Sequence, residues 1–157
     1  MSNNETPVVR GGRLRKQKAL VVVLGGVDND EIWEMRGGWS RDFFLKKSTP
    51  VQIMFGLRMT LTKGVDKGED LQALVSIDGE LIGPRTRQDY VSMLEGASGS
   101  RKQDTGYKTF TFNTGRIKAG KHTITIGGFL NTKNRKNEIA RVYFRNVMVK
   151  VGSFTPP

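Results

Sequence analysis

An all-β fold, an antiparallel sandwich or jelly roll with little helix, is what this chain of 157 residues predicts. Three observations lead there. Seven apolar runs are each short enough for one strand, 19 glycines fall largely between them, and the best-formed runs alternate apolar and polar residues at period two. The first run, residues 19–24, is almost continuously apolar. Residues 41–45 and 51–62 give the next two strands. Residues 72–77 lead into Asp78-Gly79, a dipeptide suited to a two-residue hairpin turn because both positions there need positive φ. Residues 88–96 have room for one short turn of helix, closed by Gly96. In residues 108–113, Phe110 and Phe112 share one face while Thr109 and Thr111 share the other. A short connection, 115–120, leads to residues 122–127, where His122, Ile124 and Ile126 oppose Thr123 and Thr125. In the last run, 140–151, Val142 and Phe144 have one parity and Val147, Val149 and Val151 the other. A bulge near Arg145-Asn146 reconciles the two sets, or else Tyr143 continues the odd set and both faces are covered.

The expected organisation is a basic arm over residues 1–17, a sandwich over 18–152 and a short tail over 153–157. One core of this size holds together without cross-links, and the absence of cysteine excludes disulfides and thiolate metal sites. The polar start, Met1-Ser2-Asn3-Asn4-Glu5, lacks the order of a signal peptide, and the run 19–24 is too short to span a bilayer. No membrane insertion is expected, and the sequence points to no compartment. The formal charge is +11, unevenly spread. Residues 1–18 carry five basic groups and one acid, residues 19–100 carry nine and twelve, and residues 101–150 carry twelve basic groups against Asp104 and Glu138 alone. That asymmetry suits a polyanionic partner.

Residues 72–150 carry a resemblance. Val75-Ser76-Ile77-Asp78-Gly79 ends a strand in Asp-Gly, Gly106-Tyr107 puts an aromatic after glycine, and Ala119-Gly120-Lys121-His122-Thr123 turns into a strand. Val142-Tyr143-Phe144-Arg145-Asn146-Val147 closes the set, with Arg145 where the pattern has Asp. The order resembles jelly-roll domains of the carbohydrate-binding-module, galactose-binding-like and concanavalin-like kind. It implies the fold, and a binding role rather than catalysis, since its motifs mark turns and core strands.

The residues themselves offer little for catalysis. His122 is the only histidine, so no triad or multi-histidine metal site can be built around a second one. Its parity with Ile124 and Ile126 marks it as a packed structural histidine. No enzyme activity is expected. Asp28, Asp30, Glu31 and Glu34 cluster in what reads as a polar loop, and a structural calcium ion is the one cofactor such a loop accommodates. Trp33, Arg36, Trp39 and Tyr90 are candidate ligand-binding residues: exposed rings stack on pyranose faces. Alternatively the tryptophans cover the edge of the core. Tyr107 is expected in the core. Arg10, Arg13, Arg15, Lys16, Lys118, Lys121, Lys133, Arg135 and Lys136 are candidate polyanion-binding residues, the last three in a polar, exposed loop over 131–137. They suit an anionic glycan, or nucleic acid by charge alone, because no aromatic residues are interleaved with them. Two functional classes follow. One is a non-catalytic carbohydrate-binding module. The other is a structural jelly-roll subunit of a virion or other protein shell, a homo-oligomer whose basic arm contacts nucleic acid or a neighbouring subunit. A general polyanion binder is a third, weaker class.

Overall fold

A computed structural model describes residues 19–84, 87–97 and 101–152. The ten strands are β1 Ala19–Gly26, β2 Ile32–Leu45, β3 Thr49–Leu61, β4 Asp70–Ile77, β5 Glu80–Leu81, β6 Ser92–Glu95, β7 Gln103–Asp104, β8 Lys108–Ile117, β9 Gly120–Lys133 and β10 Glu138–Val151. No helix occurs among the described residues.

All pairings are antiparallel and they nest: β1 with β10, β2 with β9, β3 with β8, β4 with β6. A long antiparallel ribbon wrapped around a core gives this pattern, which is the jelly roll. One sheet has the order β1-β10-β3, continued by β8 and the short β7; the other has β2-β9-β4, continued by β5 and β6. The arm and the tail lie outside the described residues.

Alternation decides which residues fill the space between the sheets. Ile53, Phe55, Leu57, Met59 and Leu61 of β3 are buried, as are Val22 and Leu24 of β1 and Ala140, Val142 and Phe144 of β10. From the other sheet come Leu71, Ala73 and Val75, with Ile124, Ile126 and Leu130. Phe110 and Phe112 pack on this core while Thr109 and Thr111 face solvent, which is the predicted register. Phe55 ties the first sheet together, with ring centroids 5.8, 6.1 and 5.6 Å from those of Phe110, Phe112 and Phe144.

Two turn expectations are met in detail. Asp78 and Gly79 take φ of 53° and 83° between Ile77 and Glu80, as a tight hairpin turn of this kind demands. The pairing of β10 with β3 shifts between Arg145 and Met148, and Asn146 has φ 52°. This is the bulge that turns Val147 and Val149 to the side already occupied by Val142 and Phe144.

Three expectations are corrected. Residues 88–96 form no helix: Ser92–Glu95 is a strand on the free side of β4, with Val91 buried and Leu94 turned to the core. The strand expected at 41–45 begins nine residues earlier, at Ile32, so the Trp33–Trp39 segment is strand and not loop. Glycine hides it from an apolar pattern. A Cβ on Gly38 would lie 2.2 Å from the Ile126 carbonyl oxygen, and one on Gly127 2.3 Å from that of Gly37, so β2 and β9 meet here only as bare backbone. The third correction is the 131–137 loop: β9 runs on to Lys133 and leaves a turn of four residues.

Ile124 lies between the sheets and is 7% exposed. Ile124→Ala is expected to lower unfolding stability by about 2–5 kcal/mol. Thr111→Ser, on the solvent side of β8, should stay within about 0.5 kcal/mol. Urea unfolding of both variants checks the register.

Candidate functional site

The outer face of the β1-β10-β3-β8 sheet follows from what is inside it. Phe144 is buried, so Tyr143 and Arg145 point outward; Leu57 and Met59 are buried, so Arg58 does too. Beyond the bulge Lys150, opposite Gln52, shares the outer side, and Arg141, opposite Thr60, lies at the other end. Four basic residues therefore share a face with one acid, Asp104. Arg58 donates to Asp104 (Nε to Oδ1, 2.9 Å) and, with the Gly106 N–H, holds that carboxyl well down, at about 2. The Arg58 guanidinium also lies 5.0 Å from the Tyr143 ring centre. Arg145 crosses Gly56, where a Cβ would come within 2.8 Å of its side chain, and stacks 3.7 Å above the Tyr107 ring. Tyr107 is thus on this outer face under Arg145, not in the core. A stacked guanidinium keeps its in-plane N–H donors for an anion, and an arginine so held loses little entropy on binding one.

This arginine and tyrosine face was not singled out from the sequence. The signal lies in Arg141-Val142-Tyr143-Phe144-Arg145, where the parity opposite the core residues is basic, aromatic, basic.

The candidate basic residues do not come together. β9 separates Lys118 and Lys121 from Arg135 and Lys136 by its whole length, 14 residues or about 45 Å. Lys121 pairs with Asp42 at 3.2 Å and Arg135 with Asp66 at 3.4 Å. Lys118 and Lys136 are exposed. Lys133 is a correction: its side chain is wholly buried. Its ammonium donates to the Asp28 carbonyl at 2.9 Å, the Asp30 carbonyl at 2.8 Å and Asp28 Oδ1 at 3.2 Å. Three donors meet three acceptors, so the acidic loop holds a lysine where the sequence suggests calcium. Glu34 is not in that loop but in β2, at φ 55°. Arg10, Arg13, Arg15 and Lys16 lie outside the described residues.

The four glycan candidates are also dispersed. Trp33 is 66% exposed near the start of β2. Trp39, six residues on and roughly 20 Å away along the strand, is half-buried on the core. Arg36 faces the outer side of the second sheet, 5.1 Å from the Phe129 ring centre. Tyr90, half-buried, precedes β6 at the far edge of that sheet.

Trp39 lines an open cleft of about 870 Å³ along the sandwich edge. Leu20, Phe43, Ile124, Ile126, Val147 and Val149 share it. Among the described residues, β1 pairs with β10 as far as Ala19 and Arg145. Beyond that, among the described residues, β10 has β3 on one side and no strand on the other.

His122 lies beside this cleft, near the start of β9 and opposite Phe43. Its Nδ1 lies 2.6 Å from Asp78 Oδ2 and its Nε2 2.6 Å from the Lys118 carbonyl, with Phe43 against the ring at 5.6 Å. Two oxygens facing both ring nitrogens call for the doubly protonated imidazolium. The Asp78 bond and then the Lys118 carbonyl raise the histidine pKa above 6.5, and the same bond lowers that of Asp78 below 3.8. His122 is the packed structural histidine expected.

No protein-family model matches the chain, and no curated protein is significantly similar to it. Among solved structures, a chain in the structure of infectious bursal disease virus Gx strain is similar over 89% of this chain and 46% of that one, at 10% identity and a TM-score of 0.24. The present chain thus spans about half the length of that one. A likeness of this size carries no argument about function.

Two outcomes follow. The ion pair of His122 and Asp78 contributes fully below the ordinary imidazole value of 6.5, and the contribution fades as pH rises through the raised one. Its Asp78 side contributes above 3.8 and fades as pH falls through the lowered value. Thermal stability from this pair therefore peaks between about pH 4 and 6.5. Asp78→Asn, which suits the left-handed turn, should flatten the decline of Tm above pH 6.5. Second, Lys133→Met keeps the buried stem but strands two carbonyls, and should cost on the order of 3 kcal/mol in chemical unfolding. An exposed lysine would give no such loss.

Proposed function

We propose that this protein is a non-catalytic structural subunit that assembles with copies of itself, with the arginine and tyrosine face of its first sheet turned to a polyanion such as nucleic acid. The observation that supports assembly is the cleft at the edge of the sandwich. Residues 146–151 of β10 offer backbone groups with no strand beside them among the described residues, next to an apolar cleft lined by Trp39, Phe43, Val147 and Val149. An open strand edge over an apolar hollow is a pairing site that folded proteins cover. The observation that supports a polyanion is the difference between the two outer faces. One carries Arg58, Arg141, Arg145 and Lys150 against Asp104. The other, by register, carries Ser40, Thr123, Thr125, Gly38 and Gly127, with Arg36 and Lys121 against Asp42, Asp70 and Glu95.

The carbohydrate reading keeps one supporting observation, the exposure of Trp33, and lacks a second ring beside it.

Sedimentation with and without a nonspecific oligonucleotide tests the proposal. Assemblies larger than a monomer are expected, and Leu20→Asp in the cleft should dissociate them. Arg141→Glu with Arg145→Glu should elute from a heparin column at much lower salt than Lys118→Glu with Lys136→Glu, because released counterions make such binding salt-dependent. A monomer under all conditions rules out the shell subunit. Binding on a glycan array that Trp33→Ala abolishes, with Tm unchanged, supports the carbohydrate module instead.

A further inference from the structure

The loop between β3 and β4 and the turn between β9 and β10 bring three carboxylates together at one end of the sandwich. One oxygen from each of Asp66, Glu69 and Glu138 lies within 4.8 Å of the others. Two of these side chains are almost entirely buried, Glu69 at 2% exposure and Glu138 at 1%.

Each glutamate uses one oxygen to close its own turn. Glu138 Oε2 accepts the N–H groups of Asn134 and Arg135 at 2.8 and 2.9 Å, and Glu69 Oε2 accepts that of Asp66 at 2.6 Å. Turn closure explains those oxygens and leaves the others unexplained. Glu69 Oε1 and Glu138 Oε1 are both buried and both without a hydrogen-bond partner. A buried carboxylate oxygen with nothing to accept from is costly, and here two such oxygens belong to carboxylates of one cluster. Arg135 does not supply the missing partner: its Nε reaches Asp66 at 3.4 Å, and its side chain is 67% exposed.

We propose that Asp66, Glu69 and Glu138 bind one divalent cation of calcium's size, which fastens the β3–β4 loop to the β9–β10 turn. The donors are all carboxylate oxygens, the hard ligands that calcium and magnesium take in preference to softer metals. The number of carboxylates separates those two: magnesium dehydrates reluctantly and is usually held by one or two carboxylates, whereas calcium takes several in a flexible geometry. Asp66, half-exposed beside the two buried glutamates, leaves the ion a route from solvent and room for water ligands. The site is distinct from the loop at Asp28 and Asp30, where Lys133 already supplies the positive charge.

The test uses the full chain freed of metal by a chelator, with calcium chloride as the probe. Thermal unfolding should shift upward by several degrees as calcium is added, and titration calorimetry should saturate at one ion per chain. Magnesium at equal concentration should shift the melting temperature less. Glu69→Gln and Asp66→Asn should each weaken calcium binding by about tenfold or more, since affinity follows the ligand charge count. If Glu69→Gln fails to fold, Asp66→Asn, at the half-exposed position, carries the test. A proton shared between the two glutamates in place of the ion would leave unfolding indifferent to calcium, and that indifference overturns the proposal. So does calcium binding that neither substitution alters.

Discussion

Phe55 is where the first sheet is locked. It sits in β3, between β10 and β8, and touches Phe144 from one side and Phe110 and Phe112 from the other. In strands, neighbours in sequence point to opposite faces. Once these four rings share the interior, the parity of three strands is set. Tyr143 and Arg145 must leave the core because Phe144 enters it, and Arg58 because Leu57 and Met59 do. The basic face is thus the reverse side of the aromatic core. A shift of one residue in β10 would turn two arginines and a tyrosine inward, at a cost no surface interaction could offset.

The bulge at Asn146 is the one place where that parity is reset. Without it, Asn146 and Met148 would face the interior, and Val147 and Val149 the solvent. With it, the valines return to the apolar side, beyond the end of β1. They line the cleft with Trp39 and Phe43. The bulge therefore creates both halves of the proposed function: Arg145 is the last residue of the regular face, and the two valines are the first of the cleft. It also explains how one strand serves a basic surface and an apolar hollow without a loop between them.

Much of this was legible in the sequence, for a definite reason. Where side chains decide the structure, as at Phe110, Phe112, Ile124 and Ile126, period-two alternation reveals both strand and face. Asp78-Gly79 and the parity break at Arg145-Asn146 reveal turn and bulge by the same logic. Legibility ends where backbone decides instead. At Gly37-Gly38 and Gly127-Gly128 the strands pair because side chains are missing, and a pattern of side chains cannot show that. It ends too at β6, a four-residue edge strand whose partners in β4 lie 19 to 25 positions away in sequence. The site residues fared worse than the strands. Charge read along the chain grouped Lys118, Lys121, Lys133, Arg135 and Lys136, which β9 holds at opposite ends of the sandwich. Charge read by strand parity would have grouped Arg141, Tyr143 and Arg145.

Lys133 and Glu138 show how differently one turn treats two buried charges. The β9–β10 turn begins after the lysine and ends before the glutamate, and both side chains are withdrawn from water. The lysine points toward the loop after β1, where two carbonyls and a carboxylate oxygen satisfy its three protons. That loop supplies backbone oxygens freely because it is irregular. The glutamate points toward the loop before β4. There the turn's own N–H groups satisfy one oxygen, and the nearest remaining groups are other carboxylates. A protein can cage a buried cation with carbonyls from any loop, but a pair of buried anions needs a cation brought to it. At this end of the sandwich the first requirement is met by the chain itself, and the second is the one that the proposed ion would meet.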